Sequence, residues 1–392
     1  MVKDFFWWLF KENIVINLIY REFFTLFFSK KQAQYNLEQD DVISKEYIIE
    51  HYKNKQPRWA IKGYSSGTTN TPLTVYRSIP SIFLEEYIVK SYLKYIGVPL
   101  RPNIVILRGD NIKTTAQKFW IKMPFSQRLI MSSYHISEQT ALAYFKALEQ
   151  YKPHIIFAYP SSITLLAKYA QKLNWKPSWN LSGVLTSSEN FSATNQKIVR
   201  TIFGQVYDHY GQAERVAVLQ QCKQGNYHVR NDYSYVEFLV DEHGTKIVGT
   251  NLHNKSMPLK RYDTHDYIEG LNSEGSCICG NKSDYVKRIL GRDDDYIILN
   301  DGRQIGRLDT AFKGVNGLIE CQLEQTRLTE LIVRYVPTLN ANTSNLQLTI
   351  KQNLTQKLGN DINILFEQVN EVPRTKAGKF KSVIRSKAVS NA

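Results

Sequence analysis

Four hydroxyl side chains and one glycine are concentrated in the six residues from Ser65 to Asn70. The basic residues Arg58 and Lys62 precede this segment, and Pro72 follows it. Hydroxyl groups and the backbone N–H groups of a glycine-containing loop suit the oxygens of a polyphosphate. The loop is not a Walker A motif, because no Gly-Lys-Ser/Thr follows at the required spacing. The segment therefore predicts a phosphate-binding loop, with an ordinary turn as the alternative.

Four further motifs follow the loop along the chain, and the five together resemble one enzyme superfamily. The four are Tyr210-Gly211-Gln212-Ala213-Glu214, Arg261-Tyr262-Asp263-Thr264-His265-Asp266, Gly291-Arg292 and Pro373-Arg374-Thr375-Lys376-Ala377-Gly378-Lys379. In this order the motifs resemble the adenylate-forming superfamily of acyl-CoA synthetases, peptide-synthetase adenylation domains and luciferases. The resemblance is strongest to the branch that contains phenylacetate–CoA ligase and the CapK proteins of capsule biosynthesis, and it spans about residues 64 to 381.

This resemblance implies that the hydroxyl-rich loop holds the phosphates of ATP. The family often has Gly-Lys before the proline, whereas Asn70 and Thr71 stand there in this chain. Because the loop lacks a lysine charge, Mg²⁺ and lysines elsewhere would have to neutralise the triphosphate. The loop residues that match the family are Ser65, Ser66, Gly67, Thr68 and Thr69.

The resemblance also implies where Mg²⁺ and the adenine bind. Glu214 matches the magnesium-binding glutamate, and the hydroxyl of Thr69 would be a second oxygen ligand. Tyr210, followed by Gly211, matches the aromatic residue that stacks on adenine. The segment Ser188-Glu189-Asn190 resembles the one whose backbone lines the adenine pocket.

Two further matches concern the ribose. Asp266 matches the carboxylate that accepts hydrogen bonds from the ribose hydroxyls, although His265 stands where the family usually has glycine. Arg292 matches an arginine that reaches the ribose or a phosphate. The alternative for Asp266 is an aspartate in a surface turn.

Two residues are expected to act near the reacting groups. Lys379 matches the catalytic lysine of a mobile C-terminal domain, where a flexible point charge can bridge the carboxylate and the α-phosphate. His135 lies in a CapK-like segment and could orient the carboxylate or close the acyl pocket. The alternatives are a lysine on a solvated tail and a structural histidine.

Three of the four cysteines cluster with one histidine. Five residues separate Cys222 from His228, and Cys277 and Cys279 flank Ile278. Thiolates and an imidazole are ligands for tetrahedral zinc, and similar placements occur in the phenylacetate–CoA ligase branch. We predict a structural zinc site at Cys222, His228, Cys277 and Cys279, with buried reduced cysteines as the alternative.

The elements that must position these residues alternate between strand and helix. Short apolar runs, such as the one between Pro102 and Gly109, are typical of buried parallel strands, and helical sequence separates them. The pattern predicts an α/β fold: a large mixed α/β N-terminal domain with parallel sheets, residues 1–301. A small mobile α+β domain, residues 302–392, is expected to follow it.

Composition sets the remaining limits. The chain has 392 residues, and its net charge of +14 favours anionic partners, although no nucleic-acid-binding signature accompanies that charge. The four cysteines do not form a disulfide scaffold and no secretion signal is evident, so we expect a cytoplasmic protein. The aromatic segment from Phe5 to Phe10 predicts a helix packed on the body or, alternatively, peripheral membrane contact.

The resulting functional prediction is ATP-dependent activation of a carboxylic acid as an acyl-adenylate. The acyl group would pass to a thiol of CoA or a carrier protein, or to an amine such as that of an amino sugar. Capsule or surface polysaccharide biosynthesis is the expected context. The first alternative is a catalytically silent nucleotide-binding or scaffold protein of the same system, and nucleic-acid binding is a lesser one.

Overall fold

The computed structural model describes most of the chain from residue 41 onward. No helix among the described residues is long and apolar enough to cross a membrane. The aromatic N-terminal segment, the hydroxyl-rich loop and Lys379 lie outside the described residues. The described residues are 41–386 and 389, without 53–54, 56, 58–59, 65–72, 109–117, 125, 274–276, 293–295, 302, 306–307, 313–314, 316, 339 and 375–379.

Strands and helices alternate in the first half of the chain, as predicted. In chain order the elements are α1 (Lys45–Tyr52), β1 (Ala60–Tyr64), β2 (Thr74–Ser78), α2 (Ile79–Tyr95), β3 (Ile104–Arg108), β4 (Trp120–Lys122), β5 (Arg128–Ser132), α3 (Glu138–Tyr151), β6 (Ile155–Ala158), α4 (Pro160–Lys172), β7 (Gly183–Ser187), α5 (Ala193–Phe203) and β8 (Val206–Gly211).

Strands dominate the middle of the chain. They are β9 (Val218–Gln221), β10 (Tyr227–Val229), β11 (Ser234–Asp241), β12 (Gly244–Asn251), β13 (Tyr262–Glu269), β14 (Tyr285–Val286), β15 (Arg288–Arg292), β16 (Ile297–Ile298) and β17 (Gln304–Ile305).

A nine-stranded sheet forms the centre of the large domain. Its order is β14-β10-β9-β8-β7-β6-β3-β5-β4, and the five consecutive strands from β8 to β5 are parallel. These central strands are short apolar runs because helices cover them. Helices α3, α4 and α5 pack their apolar faces on the sheet around Tyr144, Leu166 and Val199, all of which are buried.

Two smaller sheets complete the large domain. Strands β1 and β2 form an antiparallel pair in which Tyr64 lies opposite Thr74, so the hydroxyl-rich loop joins two paired strands. Strands β11, β12, β13 and β15 form an antiparallel sheet in that order.

The small domain is an α+β unit at the C-terminal end. Its elements are a 3₁₀ helix (Leu308–Phe312), β18 (Leu318–Arg327), β19 (Glu330–Pro337), α6 (Thr343–Leu358), β20 (Asn363–Gln368) and β21 (Val383–Arg385). The four strands pair in the order β20-β19-β18-β21, and α6 packs on that sheet through Leu346, Ile350 and Leu354. The α/β fold class with a large and a small domain is confirmed. Ile297 and Leu299 belong to the small-domain core, close to the predicted boundary at residue 301, which stays a prediction.

Candidate functional site

Several predicted site residues lie at the carboxyl ends of the parallel strands. Strand β7 leads directly into Ser188 and Glu189, and β8 contains Tyr210 and Gly211. At the end of β3, the guanidinium of Arg108 donates to the hydroxyl of Ser187 at 3.0 Å. Open α/β sheets bind their ligands at this edge, outside the carboxyl ends of the strands. The edge is therefore the candidate site.

Tyr210 and Asp266 are in direct contact there. The phenol of Tyr210 donates a hydrogen bond to Oδ2 of Asp266 at 2.6 Å, and Nε2 of Gln212 donates to the phenol oxygen at 2.6 Å. Burial, and then the charge of Asp266, raises the pKa of Tyr210 well above its ordinary value. The phenol thus stays a neutral donor that orients the carboxylate of Asp266.

Two other motifs reach the same place through β15. In the pairing of β13 with β15, Arg292 lies opposite Asp266. The side-chain amide of Asn190, next to Glu189, donates to the carbonyl of Leu290 at 3.0 Å. The Tyr210, Asp266, Arg292 and Ser188–Asn190 motifs, which are far apart in the sequence, are thereby brought together.

Asp266 lies on an irregular stretch of β13. The pairing of β12 with β13 shifts register there, and His265 has a φ of 56°. This left-handed conformation favours glycine, and histidine is one of the residues that adopt it more readily. His265 stands where the resembling family usually has glycine, so the chain keeps the glycine-like backbone without the glycine. The amide of His265 donates to Asp263, and that of Asp266 donates to Thr264, which holds the bulge in place.

Ser188, which belongs to the predicted adenine-pocket segment, and Arg215, which follows Glu214, also have positive φ values, 74° and 61°. Such conformations cost free energy and cluster at functional sites.

Glu214 is 5% exposed, in the turn between β8 and β9. The side-chain amide of Asn251 donates to its backbone carbonyl at 3.5 Å. A Cβ on Gly249 would lie 2.3 Å from the carbonyl oxygen of Val216, so glycine is required there for the turn to pack on β12. Val216 shares an apolar cluster with Leu73, the first described residue after the hydroxyl-rich loop. Glu214 is two residues before Val216, so the turn that carries it lies near Leu73.

Glu189 has side-chain contacts that the sequence does not reveal. Its carboxylate accepts hydrogen bonds from the backbone amide and hydroxyl of Ser161, at 2.9 and 3.1 Å. It also accepts one from the backbone amide of Phe380 in the small domain, at 2.8 Å. Burial raises the pKa of Glu189, and the hydrogen bonds from Ser161 and Phe380 oppose that rise.

His135 lies at the same edge but further along the sheet, just after β5. Its Nδ1 is 2.8 Å from the hydroxyl of Ser132, and its ring stacks on Phe119 with the centroids 5.3 Å apart. In the sheet order, β5 is four strands from β8, which contains Tyr210. The role of His135 stays a prediction.

The four predicted zinc ligands form one cluster. Their ligand atoms lie within 4.8 Å of one another, and three of the four residues are buried. The Sγ atoms of Cys222 and Cys277 are 3.9 Å apart, and Sγ of Cys279 is 3.3 Å from Nε2 of His228. Zinc–sulfur bonds of about 2.3 Å at tetrahedral angles put two thiolates roughly 3.8 Å apart. The donor set and its spacing fit a zinc ion.

Two matching turns carry the thiolates of this cluster. The amide of Cys222 donates to the carbonyl of Asn226, and the amide of Gly225 donates back to the carbonyl of Cys222. Cys277, Gly280 and Asn281 make the same pair of bonds. Gly225 and Gly280 both have a φ of 86°. Both turns have the sequence Cys-x-x-Gly-Asn. This repeat is a sequence signal for the site that the cysteine spacings alone do not give.

Outer contacts orient the ligands of this cluster. The side-chain amide of Asn226 donates to Sγ of Cys277 at 3.3 Å, and the hydroxyl of Ser283 is 3.4 Å from Nδ1 of His228. The second contact leaves Nε2 of His228 facing Cys279. Such partners on the far nitrogen are typical of metal-binding histidines.

Comparison with known sequences places the chain near CapK. Residues 297–386 match the family model of the CapK C-terminal domain. The chain is also 25% identical to Protein CapK of Staphylococcus aureus over 373 residues, which is 91% of this chain and 82% of CapK.

Comparison with solved structures gives adenylate-forming ligases. A 2-hydroxyisobutyryl-CoA ligase in the postadenylation state, in complex with an acyl-AMP, matches with a TM-score of 0.66 and 17% identity, covering 91% of this chain and 81% of the ligase. The same ligase in its thioesterification state, in complex with 2-HIB-AMP and CoA, matches with a TM-score of 0.52 and 17% identity, covering 91% and 82%. The amide bond synthetase McbA of Marinactinospora thermotolerans matches with a TM-score of 0.52 and 12% identity, covering 86% and 69%.

These matches confirm the predicted resemblance to the adenylate-forming superfamily and its CapK-like branch. At these identities the structural matches show the fold, which is that of adenylate-forming ligases.

Proposed function

We propose that this chain activates a carboxylic acid with ATP and passes the acyl group to an acceptor. In the first step a carboxylate oxygen attacks the α-phosphorus, the bond to the bridging oxygen breaks, and pyrophosphate leaves with the electron pair. In the second step the sulfur or nitrogen of the acceptor attacks the acyl carbon. The bond to the AMP oxygen breaks, AMP leaves, and the acceptor's proton passes to solvent.

The observation that carries this proposal is the contact between Tyr210 and Asp266, with Arg292 opposite Asp266 on the neighbouring strand. It supports a single nucleotide site at the carboxyl edge of the sheet. Tyr210 would stack on adenine, and Asp266 would accept hydrogen bonds from the ribose hydroxyls. Because Tyr210 donates to Oδ2, the carboxylate is held in one orientation before the nucleotide arrives.

The phosphate side of the site would involve Glu214 and the hydroxyl-rich loop. Glu214, with Thr69, would hold Mg²⁺, which neutralises charge on the phosphate oxygens when it is bound. The hydroxyl and amide groups of Ser65 to Thr69 would cradle the phosphates. The burial of Glu214 and the packing of Leu73 against Val216 support this arrangement. His135 would lie on the acyl side.

The related structures support two acceptor classes for this proposal. The ligase that was solved with 2-HIB-AMP and CoA supports a thiol acceptor, on CoA or a carrier protein. The amide bond synthetase supports an amine, such as that of an amino sugar. The likeness to CapK supports a carboxylate that is later attached to a capsule or surface polysaccharide. ATP-dependent chemistry of this kind agrees with the cytoplasmic location that the sequence predicts.

Zinc has a structural role in this proposal. The site of Cys222, His228, Cys277 and Cys279 would join the turn after β9 to the loop that precedes β14. Four protein ligands leave no open position for a substrate, so zinc would stabilise the edge of the large sheet and take no part in the reaction.

The test is release of pyrophosphate from ATP and Mg²⁺ with a panel of carboxylic acids, in parallel with direct measurement of ATP binding. Pyrophosphate release that depends on one acid class supports the ligase. Intact ATP binding without release for any acid would instead favour the silent nucleotide-binding protein, the alternative kept by Asn70, Thr71 and His265.

A further inference from the structure

The two domains meet at helix α4 and at the residues that follow β7. The ammonium of Lys168, on α4, donates to the backbone carbonyls of Leu318 and Ile319 at the start of β18, and the first of these bonds is 3.1 Å long. Glu189, after β7, accepts the backbone N–H of Phe380 at 2.8 Å. Both large-domain side chains bind backbone groups of the small domain. The contacts therefore depend on where the two domains lie, and much less on the small domain's side chains.

The large domain alone fixes the position of the Glu189 carboxylate. Helix α4 begins with Pro160, which has no N–H group, so the amide of Ser161 is the first unsatisfied donor of the helix. That amide donates to Oε2 of Glu189 at 2.9 Å, and the hydroxyl of Ser161 donates to Oε1 at 3.1 Å. A carboxylate at a helix N-terminus is also favoured by the helix dipole. Glu189 is thus an acceptor held ready for a donor from the small domain.

The small-domain residue that donates to Glu189 is next to the predicted catalytic lysine in the sequence. Phe380 directly follows Lys379, and consecutive Cα atoms are about 3.8 Å apart. The guanidinium of Arg374 lies over the ring of Phe380 at 5.1 Å and forms an ion pair with Glu320. Arg374 and Phe380, the described residues before and after 375–379, are thus both held by contacts, and Glu189 holds the backbone of Phe380, the residue after Lys379.

The hydrogen bonds of Glu189 also bear on its own role. A carboxylate has about four acceptor positions. Three of these positions are taken by donors, two from Ser161 and one from Phe380, so most of the acceptor capacity of Glu189 serves protein contacts.

We propose that Glu189 is a positioning residue: its carboxylate holds the backbone beside Lys379 against the large domain while the acyl-adenylate forms. Release of the hydrogen bond from Phe380 to Glu189 then accompanies the second half-reaction. The inference rests on the proposed function, since it assigns Lys379 to adenylate formation. The higher TM-score against the postadenylation structure than against the thioesterification structure of the same ligase, 0.66 compared with 0.52, agrees with this arrangement.

The contact is tested by amide hydrogen exchange on the full chain, without any substrate. In the wild type, the peptide that contains Phe380 should exchange slowly. In Glu189→Ala it should exchange at least about tenfold faster, because the Phe380 amide loses its acceptor. The matched control is Ser161→Ala, which loses a bond within the large domain and should leave the Phe380 peptide within about twofold of wild type.

Glu189→Gln keeps the shape of the side chain and guards against loss of folding. Core peptides from β7 and β8 should exchange as in the wild type for both Glu189 variants. Unchanged exchange at Phe380 in Glu189→Ala, with those core peptides intact, overturns the contact and the proposal with it.

The positioning role is tested with an acid that the wild type accepts. Glu189→Gln should slow formation of the acyl-adenylate by about tenfold, while acyl transfer from chemically made acyl-AMP should stay within about twofold of wild type. Equal losses in both half-reactions, or no loss in either, overturn the positioning role. If the wild type itself releases no pyrophosphate with any acid, the proposed function fails, and the exchange measurement still decides the Phe380 contact.

Discussion

The phenol of Tyr210 and the carboxylate of Asp266, 56 residues apart in the sequence, are joined by a hydrogen bond of 2.6 Å. Tyr210 belongs to β8 of the nine-stranded sheet, and Asp266 belongs to β13 of the antiparallel sheet. The bond therefore links the two sheets at the point where the nucleotide is proposed to bind. A substitution of either residue should therefore lower the affinity for the nucleotide.

The first prediction separates ribose recognition from general damage. Asp266→Asn removes the charge that accepts the ribose hydroxyls, and hydrogen bonds to a charged group contribute about 1.5–3 kcal/mol. The apparent affinity for ATP in pyrophosphate release should fall by about 10- to 100-fold. The affinity for 2′,3′-dideoxy-ATP, which lacks those hydroxyls, should change by less than about threefold.

Tyr210→Phe is the companion variant for this prediction. It keeps the ring and loses only the bond to Asp266, so its loss of ATP affinity should be smaller. Equal losses for ATP and the dideoxy nucleotide in Asp266→Asn would contradict the ribose assignment.

The second prediction concerns the magnesium ligand. Glu214→Gln keeps the volume of the buried side chain and removes its charge, so pyrophosphate release at saturating acid should fall by about two orders of magnitude. Glu242→Gln removes the same charge from a side chain that is 86% exposed and should have near wild-type activity. Near wild-type release in Glu214→Gln would show that the carboxylate does not hold the ion.

The strands can be predicted from the sequence because short apolar runs indicate them locally. The apolar run between Pro102 and Gly109 contains the predicted strand, at Ile104–Arg108. Contacts such as that of Glu189 with Phe380 depend on the arrangement of two domains, and residues 191 apart give no local signal for it. The left-handed backbone of His265 could not be predicted, because a glycine would have indicated it and histidine stands at that position.

The zinc site lies between these two cases. Its four ligands follow from residue types and from the family resemblance. The two matching turns at Cys222 and Cys277 could have been predicted from the repeated Cys-x-x-Gly-Asn.

The third prediction is metal content. Protein purified without added metal should contain about one zinc per chain, and Cys277→Ser should lose most of it, because removing one of four ligands opens the site. The thermal unfolding midpoint of Cys277→Ser should fall as well. Cys321→Ser is the matched control, since Cys321 lies in the small-domain core and should leave the zinc content unchanged. A stable wild-type protein without metal would contradict the assignment.

The fourth prediction concerns pH and Lys168 at the domain contact. Burial lowers the pKa of Lys168 to about 8, while the charge of Glu320 opposes the shift. The unfolded chain keeps this proton up to the ordinary lysine value of 10.5, so between about pH 8 and pH 10 it binds more protons than the folded chain. In this range, rising pH therefore favours the folded form, and below pH 8 the group contributes no pH dependence.

The measurement is the free energy of unfolding, from urea titrations, of the wild type relative to Lys168→Met, which has no titrating group there. The difference should move in favour of the wild type between pH 8 and pH 10, by roughly 1 kcal/mol per pH unit at most. The same comparison with Lys351→Met, at an exposed lysine on α6, should have no such slope. A flat difference for Lys168→Met would mean that the ammonium is solvated.

The fifth prediction tests whether Lys379 acts in one step only. Lys379→Ala should slow formation of the acyl-adenylate by about 100-fold, which corresponds to about 2.7 kcal/mol of transition-state stabilisation. The affinity for ATP should change much less, because the large domain holds most of the nucleotide in the proposed site. Chemically made acyl-AMP should restore acyl transfer to near the wild-type rate, because domain rotation would carry Lys379 away before the second step.

Lys381→Ala is the control for this last experiment, since it removes a lysine two residues further along the same segment. It should affect neither half-reaction by more than a few-fold. Equal losses in both half-reactions of Lys379→Ala would mean that the lysine is not specific to adenylate formation. In that outcome the hydrogen bond between Glu189 and Phe380 would hold the two domains together without positioning a catalytic group.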